Sequence, residues 1–363
     1  MTRSKLRPDL SLLITVLVLA IGGLVVLSSA SVVLSQQRLG SPYGFLKHQL
    51  VFGVLIGLIL GFAAYKFPYQ KLQKLSLLFL VVVFVGLAAV LVPHAQHGAG
   101  GAVRWLDFGW STFQPSELAK LFLLIYFAAL LSKKTSPKHQ LVVVVIILIL
   151  VSVLLILQPD LSTLGVIVAS CVVLYFLSGV KVPYVLGILI SGALSLSLII
   201  RLSPYRWQRF LTYLNPDVDV IGKSYQINQA LLALGSGGLW GVGLGHSRQK
   251  FNYLPEPMGD SIFAILGEEL GFIGVIIFLF LFLFLFIRVF KIAKNADTDF
   301  GRLLALGIGF WLFLQAFINI AATCGLLPIA GVPLPFVSYG GSSMVVSLAA
   351  VGILLNISKY QRK

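Results

Sequence analysis

Runs of apolar residues separated by short polar connections set the rhythm of this chain. A helix that crosses a bilayer needs about 20 mostly apolar residues. Ten stretches meet that requirement, at roughly 10–33, 48–65, 74–93, 117–132, 140–157, 163–179, 183–202, 261–287, 303–324 and 337–357. The first follows Arg3, Lys5 and Arg7 and precedes Ser28-Ser29-Ala30-Ser31, as a signal peptide would. Its apolar core is too long for one, so it reads as an uncleaved first span. Between the seventh and eighth stretches lies a loop of about 203–260, long enough to build a surface of its own. Its Trp, Tyr, Leu and Gly content argues against disorder. It predicts short interfacial helices at Arg206–Leu214 and Tyr225–Leu234 joined by a glycine-rich turn, with Trp207, Tyr213 and Trp240 at headgroup level. A second outer segment runs from about His94 to Ser116.

Composition narrows the class. Of the 363 residues, 58% are hydrophobic and 11% charged, and mean hydropathy is +0.98. A soluble domain carries about a quarter charged residues, so a water-soluble globule, a disordered chain, a collagen and a disulfide scaffold are all excluded. The net charge of +15 would suggest nucleic acid in a soluble chain. Here it sorts across the membrane instead. With the N-terminus in the cytoplasm, the inner connections hold most of the 27 Lys and Arg, among them Lys66, Lys71, Lys74, Lys133, Lys134 and Lys138. The short outer loops hold only Arg38, Lys47 and Arg104. The expected fold is an all-α integral membrane protein with ten transmembrane helices, both termini cytoplasmic, and a long extracytoplasmic loop between spans seven and eight. Residues 1–363 form a single polytopic domain in this reading, surrounded by membrane lipids and without a nucleic-acid partner. Cys171 and Cys324 lie far apart in apolar contexts, so no disulfide is expected.

Charge inside a membrane is costly, about 2.5–3.5 kcal/mol per residue on insertion scales, so the few intramembrane ionisable groups are the candidates for chemistry. Glu117 and Lys120 are three apart on one helix and share a face. They form either a structural ion pair or the polar wall of a cavity. Asp160, in Gln158-Pro159-Asp160, starts the sixth span from outside, where it caps the helix or lines a cavity. Asp260 opens the eighth span where the long loop re-enters the membrane. It is either a helix cap favoured by the dipole or a general base at the membrane–water boundary. Glu268 sits eight residues on, about 12 Å deeper along a straight helix; it and Glu269 suit interhelical hydrogen bonding. The glycines of Gly267-Glu268-Glu269-Leu270-Gly271 permit close helix packing. Gly235–Gly245 is a tight interfacial turn or, beside Arg248 and Lys250, a cradle for a pyrophosphate. His94 and His97 lack further ligands for a metal site.

Several runs in order resemble the SEDS family of bacterial cell-wall synthesis (shape, elongation, division and sporulation), whose members include FtsW, RodA and SpoVE. They are Arg104-Trp105-Leu106; Phe113-Gln114-Pro115-Ser116-Glu117-Leu118-Ala119-Lys120; Gln158-Pro159-Asp160; Asn215-Pro216 with Tyr225-Gln226; Gly235–Gly245; Tyr253-Leu254-Pro255-Glu256; Asp260 with Gly267–Gly271; and Pro333-Leu334-Pro335-Phe336-Val337-Ser338-Tyr339-Gly340-Gly341-Ser342-Ser343. Ser247–Phe251 and Gly267–Gly271 place the chain nearer FtsW than RodA. Where the family commonly has His-Thr before the aspartate, this chain has Met258-Gly259.

The resemblance implies a peptidoglycan glycosyltransferase that polymerises lipid II at the outer face of the bacterial cytoplasmic membrane, in cell division or cell-shape maintenance. Its partners would be a class B penicillin-binding protein as transpeptidase and other division or elongation proteins. Asp260 would be the general base of an inverting transfer, and Glu117, Lys120, Asp160 and Glu268 would line or support the cavity. The leaving pyrophosphate needs positive charge, for which Arg206, Arg209, Lys223, Arg248 and Lys250 are candidates. No tightly bound cofactor is expected; a divalent cation, Mg or Mn, is a further candidate, with no ligand set assigned. A lipid II flippase and a non-catalytic scaffold for a penicillin-binding protein are the competing classes.

Overall fold

The computed structural model describes residues 7–92, 96–97, 104–109, 111–133, 135–204, 207–208, 211, 213 and 224–360. Helices dominate them. In chain order the main ones are α1 (Leu10–Ala30), α2 (Gly44–Lys66), α3 (Ser76–Ala89), α4 (Pro115–Leu131), α5 (Pro137–Leu157), α6 (Leu161–Leu177), α7 (Val182–Leu202), α8 (Tyr225–Ser236), α9 (Ile262–Lys294), α10 (Asp299–Thr323) and α11 (Gly341–Ser358). Each of the ten apolar stretches overlaps one of these, and α8 falls in the long loop. Among the described residues, seven helices (α1, α2, α5, α7, α9, α10 and α11) are long and apolar enough to cross a membrane. The apolar α3 and α6 are shorter, and α4 carries Glu117 and Lys120.

Local sequence explains several helix starts. The Asp9 carboxylate accepts from Leu12 N, the Ser136 hydroxyl from His139 N and the Thr298 hydroxyl from Gly301 N, each satisfying an amide that the first turn leaves without a partner. Proline stands in the first turn of α4, α5 and α7, where its missing N–H costs nothing.

Three details differ from the sequence reading. The first apolar stretch is divided: α1 stops at Ala30 and a separate short helix follows over Val32–Leu39. The outer segment before α4 contains a small antiparallel sheet, β1 (Gln96–His97), β2 (Trp105–Asp107) and β3 (Thr112–Phe113), with Leu106 opposite both Gln96 and Phe113. Most important, α9 is not one straight helix. Gly271 has φ 66° and ψ −172°, a conformation essentially confined to glycine, and it breaks α9 into 262–270 and 272–294. The Arg206–Leu214 helix falls largely outside the described residues, and His94 wholly so. Cys171 and Cys324 are free thiols.

Hydrogen bonds fix how the ends of the helices sit. Asp9 N donates to Ser358 Oγ at 3.1 Å, and Arg288 Nη2 donates to Asp9 Oδ2 at 2.6 Å. Asp297 N donates to the Tyr360 carbonyl at 3.2 Å. The start of α1, the end of α9 and the end of α11 therefore share one end of the bundle. At the opposite end of α1, Ser29 Oγ donates to Glu269 Oε1 at 2.5 Å. Thus α1 runs antiparallel beside the part of α9 that follows the break.

The connection from α10 to α11, residues 325–340, does not stay on the surface. A Cβ on Gly23, within α1, would lie 2.5 Å from the Phe336 carbonyl oxygen, so the loop presses against the flank of that helix. Phe336 is buried and has φ 66°. Non-helical backbone inside a membrane protein must find its hydrogen bonds in protein, and here polar side chains supply them. Gln315 Nε2 donates to the Pro333 carbonyl at 2.9 Å, Asn319 Nδ2 to the Val332 carbonyl at 2.8 Å, and the Ser338 hydroxyl accepts from Leu334 N at 2.8 Å. Gln49 Oε1 accepts from Gly340 N at 3.1 Å.

Candidate active site

Asp260 lies two residues before α9, and the capping position belongs to Ser261, whose side chain makes no cap hydrogen bond. The peptide backbone around Asp260 is held from two directions. Asn319 Nδ2, on α10, donates to the Asp260 carbonyl at 3.0 Å. From the re-entrant loop, Ser338 Oγ donates to the Gly259 carbonyl at 2.8 Å and Tyr339 N donates to the Met258 carbonyl at 2.8 Å. Gln226 Nε2 of α8 donates to Ser261 Oγ at 3.1 Å. The half-buried Asp260 lines a cleft with Gln226 and Ile227 of α8, Thr323 of α10 and Ala330 of the loop. A carboxylate is thereby carried on a fixed turn at the wall of a small opening.

Beneath it runs a second set of polar groups. Lys120 Nζ donates to Glu117 Oε1 and to Gln315 Oε1, both at 2.7 Å, and sits 5.5 Å from the centroid of the Trp311 ring. Trp311 Nε1 also donates to Gln315 Oε1, at 2.8 Å. Both charged side chains are only 2% exposed. Trp311, Gln315, Asn319 and Thr323 recur every four residues along α10 and so form one stripe. That stripe links the Glu117–Lys120 pair to the re-entrant loop and, one turn further, to Asp260.

Asp160 is fully buried and does two things at once. Its Oδ1 accepts from Thr163 N at 3.4 Å as the cap of α6, while its Oδ2 accepts from Ser116 Oγ at 3.1 Å and Gln114 Nε2 at 3.3 Å. The turn before it is held by Arg104 Nη2, which donates to the Pro159 carbonyl.

Glu268, Glu269 and Lys250 form a separate buried cluster, with the two glutamates eight and nine residues beyond Asp260. Glu268 accepts from Ser247 Oγ at 2.5 Å and from Arg248 N at 2.9 Å. Glu269 Oε1 receives Ser29 Oγ, Ser247 N at 3.3 Å and Lys250 Nζ at 3.4 Å. These carboxylates bond mainly to residues 247–250, just after the glycine-rich loop. Two of that loop's amides are bound in turn: Val242 N and Gly243 N donate to the Glu268 and Glu269 carbonyls at 3.0 and 3.1 Å. Residues 237–243 are thus a tight turn against the break in α9, and the Lys250 ammonium is buried in an ion pair. Arg248 is exposed. Arg206, Arg209 and Lys223 lie outside the described residues.

The sequence reading did not single out Gln315, Asn319 or Ser338 as site residues. The four-residue spacing of Gln315, Asn319 and Thr323 on an otherwise apolar helix was the available signal. Among the described residues no three His, Cys, Asp or Glu gather as a metal site.

Fold and site together define a polytopic helical membrane protein with a carboxylate-bearing cleft where two non-helical segments meet. The profile of the FtsW/RodA/SpoVE cell cycle protein family matches residues 9–363, and the chain belongs to that family. Stage V sporulation protein E of Bacillus subtilis is 40% identical over 366 residues, covering 100% of both chains. The protein named "Probable peptidoglycan glycosyltransferase FtsW" of Nitrosomonas europaea is also 40% identical, over 98% of this chain and 95% of its own. Among solved structures, a chain from a study titled "Structural coordination of polymerization and crosslinking by a peptidoglycan synthase complex" superposes with TM-score 0.82 at 28% identity, over 98% of this chain and 100% of its own. The rod shape determining protein RodA of Thermus thermophilus gives TM-score 0.74 at 28% identity, over 98% and 99%.

Proposed function

We propose that this protein is a peptidoglycan glycosyltransferase that polymerises lipid II at the outer face of the bacterial cytoplasmic membrane. The family membership, the glycosyltransferase name of the Nitrosomonas relative and the synthase complex among the solved structures support the activity. One observation carries the site assignment: the turn bearing Asp260 is pinned by Asn319 and Ser338, with Asp260 itself at the cleft wall. Asp260 takes the proton from the acceptor sugar's 4-hydroxyl as that oxygen attacks the anomeric carbon of the donor. Undecaprenyl pyrophosphate leaves from the opposite face, so the transfer inverts. Glu117, Lys120 and Asp160 hold the scaffold around this point. Glu268 acts from further away, by anchoring the loop that leads into the Asp260 turn. Ten helices cross the membrane in this reading, with both termini in the cytoplasm, and the partner is a class B penicillin-binding protein that cross-links the product.

Exposed Arg248 remains a candidate for the leaving group, as do Arg206, Arg209 and Lys223; Lys250 is committed to Glu269. A divalent cation, Mg or Mn, would neutralise the pyrophosphate. Mg is commonly held by one or two carboxylates together with substrate phosphates, and Asp260 could supply one such ligand.

The test uses purified protein in lipid, with and without a class B penicillin-binding protein. Labelled lipid II is added and glycan products are resolved on a gel. Wild type should give polymer, and Asp260→Asn should lower the rate by about 10²–10⁴, the usual contribution of a positioned base. Polymer from neither, with the partner bound, would shift the reading to a flippase or scaffold. Equal polymer from both would keep the enzyme and remove Asp260 as its base.

A further inference from the structure

The loop that holds the Asp260 turn is itself held by α2. Ser338 Oγ and Tyr339 N donate to the carbonyls of Gly259 and Met258. The same short run also meets two adjacent residues of α2. Gly340 N donates to Gln49 Oε1 at 3.1 Å, Gln49 Nε2 donates to the Ser338 carbonyl at 3.5 Å, and the Tyr339 hydroxyl is in hydrogen-bond contact with His48 Nδ1 at 3.1 Å. Three consecutive residues, Ser338, Tyr339 and Gly340, therefore join α2 to the turn that carries Asp260.

The winding of α2 suits this contact. Residues Gln49–Leu55 form a π-helix inside it, a rare geometry that occurs mostly as single turns within α-helices, frequently at functional sites. Positions four apart drift about 40° per step round an α-helix, and the wider π turn offsets that drift. Gln49, Gly53, Gly57 and Gly61 so stay on one face. A Cβ on Gly57 or Gly61 would lie 2.7 or 2.8 Å from atoms of Leu348 in α11, while Gln49 meets the loop just before α11. Gly53 leaves room for the amide: a Cβ there would lie 3.2 Å from Gln49 Cδ. Gln49 is fully buried. A buried amide is costly unless its hydrogen bonds are made, and both ends of this one are engaged by residues 338–340.

We propose that Gln49 is a positioning residue for the transfer: acting through residues 338–340, it sets where the Asp260 carboxylate stands. Its role in the transfer rests on Asp260 being the base; its hold on the loop does not. The reach of the side chain is what matters. Asparagine carries the same amide on a side chain one methylene shorter, so from the same backbone it falls short of Gly340 N. The loop then shifts, and the Asp260 turn shifts with it. A misplacement of about 1 Å at a reacting group costs about a hundredfold in rate.

The test uses the full-length protein in lipid nanodiscs with a class B penicillin-binding protein and labelled lipid II. Gln49→Asn should lower kcat by about tenfold to a hundredfold and leave KM for lipid II unchanged, the pattern of a group that acts in the transition state. The control is Gln140→Asn, which shortens a buried amide that bonds Lys133 and Thr135 in the connection between α4 and α5. Its kcat should stay at the wild-type value, and the melting temperature of Gln49→Asn should fall no further than its own. On an Asp260→Asn background Gln49→Asn should cost nothing more, since no base is left to place. Hydrogen–deuterium exchange gives a readout that needs no activity. The Tyr339 and Gly340 amides should exchange faster in Gln49→Asn than in wild type, and at the wild-type rate in Gln140→Asn. Wild-type kcat in Gln49→Asn, a loss that Gln140→Asn shares, a loss that persists in full without Asp260, or unchanged exchange would each overturn the proposal. If wild type makes no glycan, the polymerase reading falls, and the exchange experiment alone decides whether Gln49 sets the loop at Asp260.

Discussion

At Lys120 an ammonium has exchanged water for two acceptors, Glu117 and Gln315, and the face of Trp311. Such a pair gains little over a well-packed apolar core, but it is costly to break from one side because a charge is left buried and alone. Lys120→Met should therefore destabilise the protein by about 3–5 kcal/mol, read by thermal denaturation in detergent. Adding Glu117→Gln to it should recover a large part of that loss. If the single substitution were neutral, Glu117 would not depend on the pair, and the stripe along α10 would lose its anchor on α4. Charged residues of this kind were legible in the sequence because a charge inside a membrane stands out by its cost. The amides were not. Gln315 and Asn319 are tolerated in many helices, and what gives them work here is backbone from a re-entrant loop, whose path no local pattern announces. Asp260 itself was legible, but its surroundings were not: the sequence left a cap and a base open, and the structure puts the cap position at Ser261.

At the scale of elements, the break in α9 governs how the loop before Asp260 is held. Residues 237–243 lie backbone to backbone against 267–273. Phe272 N and Ile273 N donate to the Gly238 and Leu239 carbonyls at 2.9 and 3.1 Å, and a Cβ on Gly241 would lie 2.2 Å from the Glu269 carbonyl oxygen. The chain from Gly238 to Ile273 thus closes on itself, with the Asp260 turn within the closed segment. Gly238 and Gly241 both have positive φ, 53° and 82°, but only Gly241 is crowded; nothing lies within 4 Å of a Cβ on Gly238. Gly238→Ala should cost only the backbone strain, about 1–2 kcal/mol. Gly241→Ala should cost clearly more and lower polymerisation as the closed segment loosens. Equal, small effects from both would mean that the loop does not depend on this contact. The sequence showed glycines four apart and suggested helix packing. Gly267 does pack closely against a helix, at Leu234 of α8, whereas Gly271 meets the preceding loop, because it adopts a conformation that apolar periodicity does not report.

For the whole molecule, the question is how many of the helices cross. The seven long ones alone would put the two ends of the chain on opposite sides. The hydrogen bond from Asp9 N to Ser358 Oγ holds α1 and α11 together at one end of the bundle, which an even number of crossings satisfies. Adding α3, α4 and α6 gives ten. At 1.5 Å per residue α4 spans roughly 25 Å, close to the roughly 30 Å hydrocarbon thickness, and the neutralised Glu117–Lys120 pair lowers its cost of insertion. The apolar run at 117–132 and the Lys and Arg bias of the connections both point to the same count. Single cysteines on a Cys171→Ala, Cys324→Ser background test each crossing with a membrane-impermeant thiol reagent on intact spheroplasts. Tyr43→Cys and His246→Cys should label at once. Thr135→Cys, Val182→Cys and Asp299→Cys should label only after permeabilisation. Thr135→Cys reacting from outside would mean that α3 or α4 does not cross, and the ten-span count would fall. Thr135→Cys protected but Val182→Cys reactive would place the failure in α5 or α6. If His246→Cys reacted only after permeabilisation, the glycine-rich loop and the turn at Asp260 would face the cytoplasm, and polymerisation at the outer face would have no base.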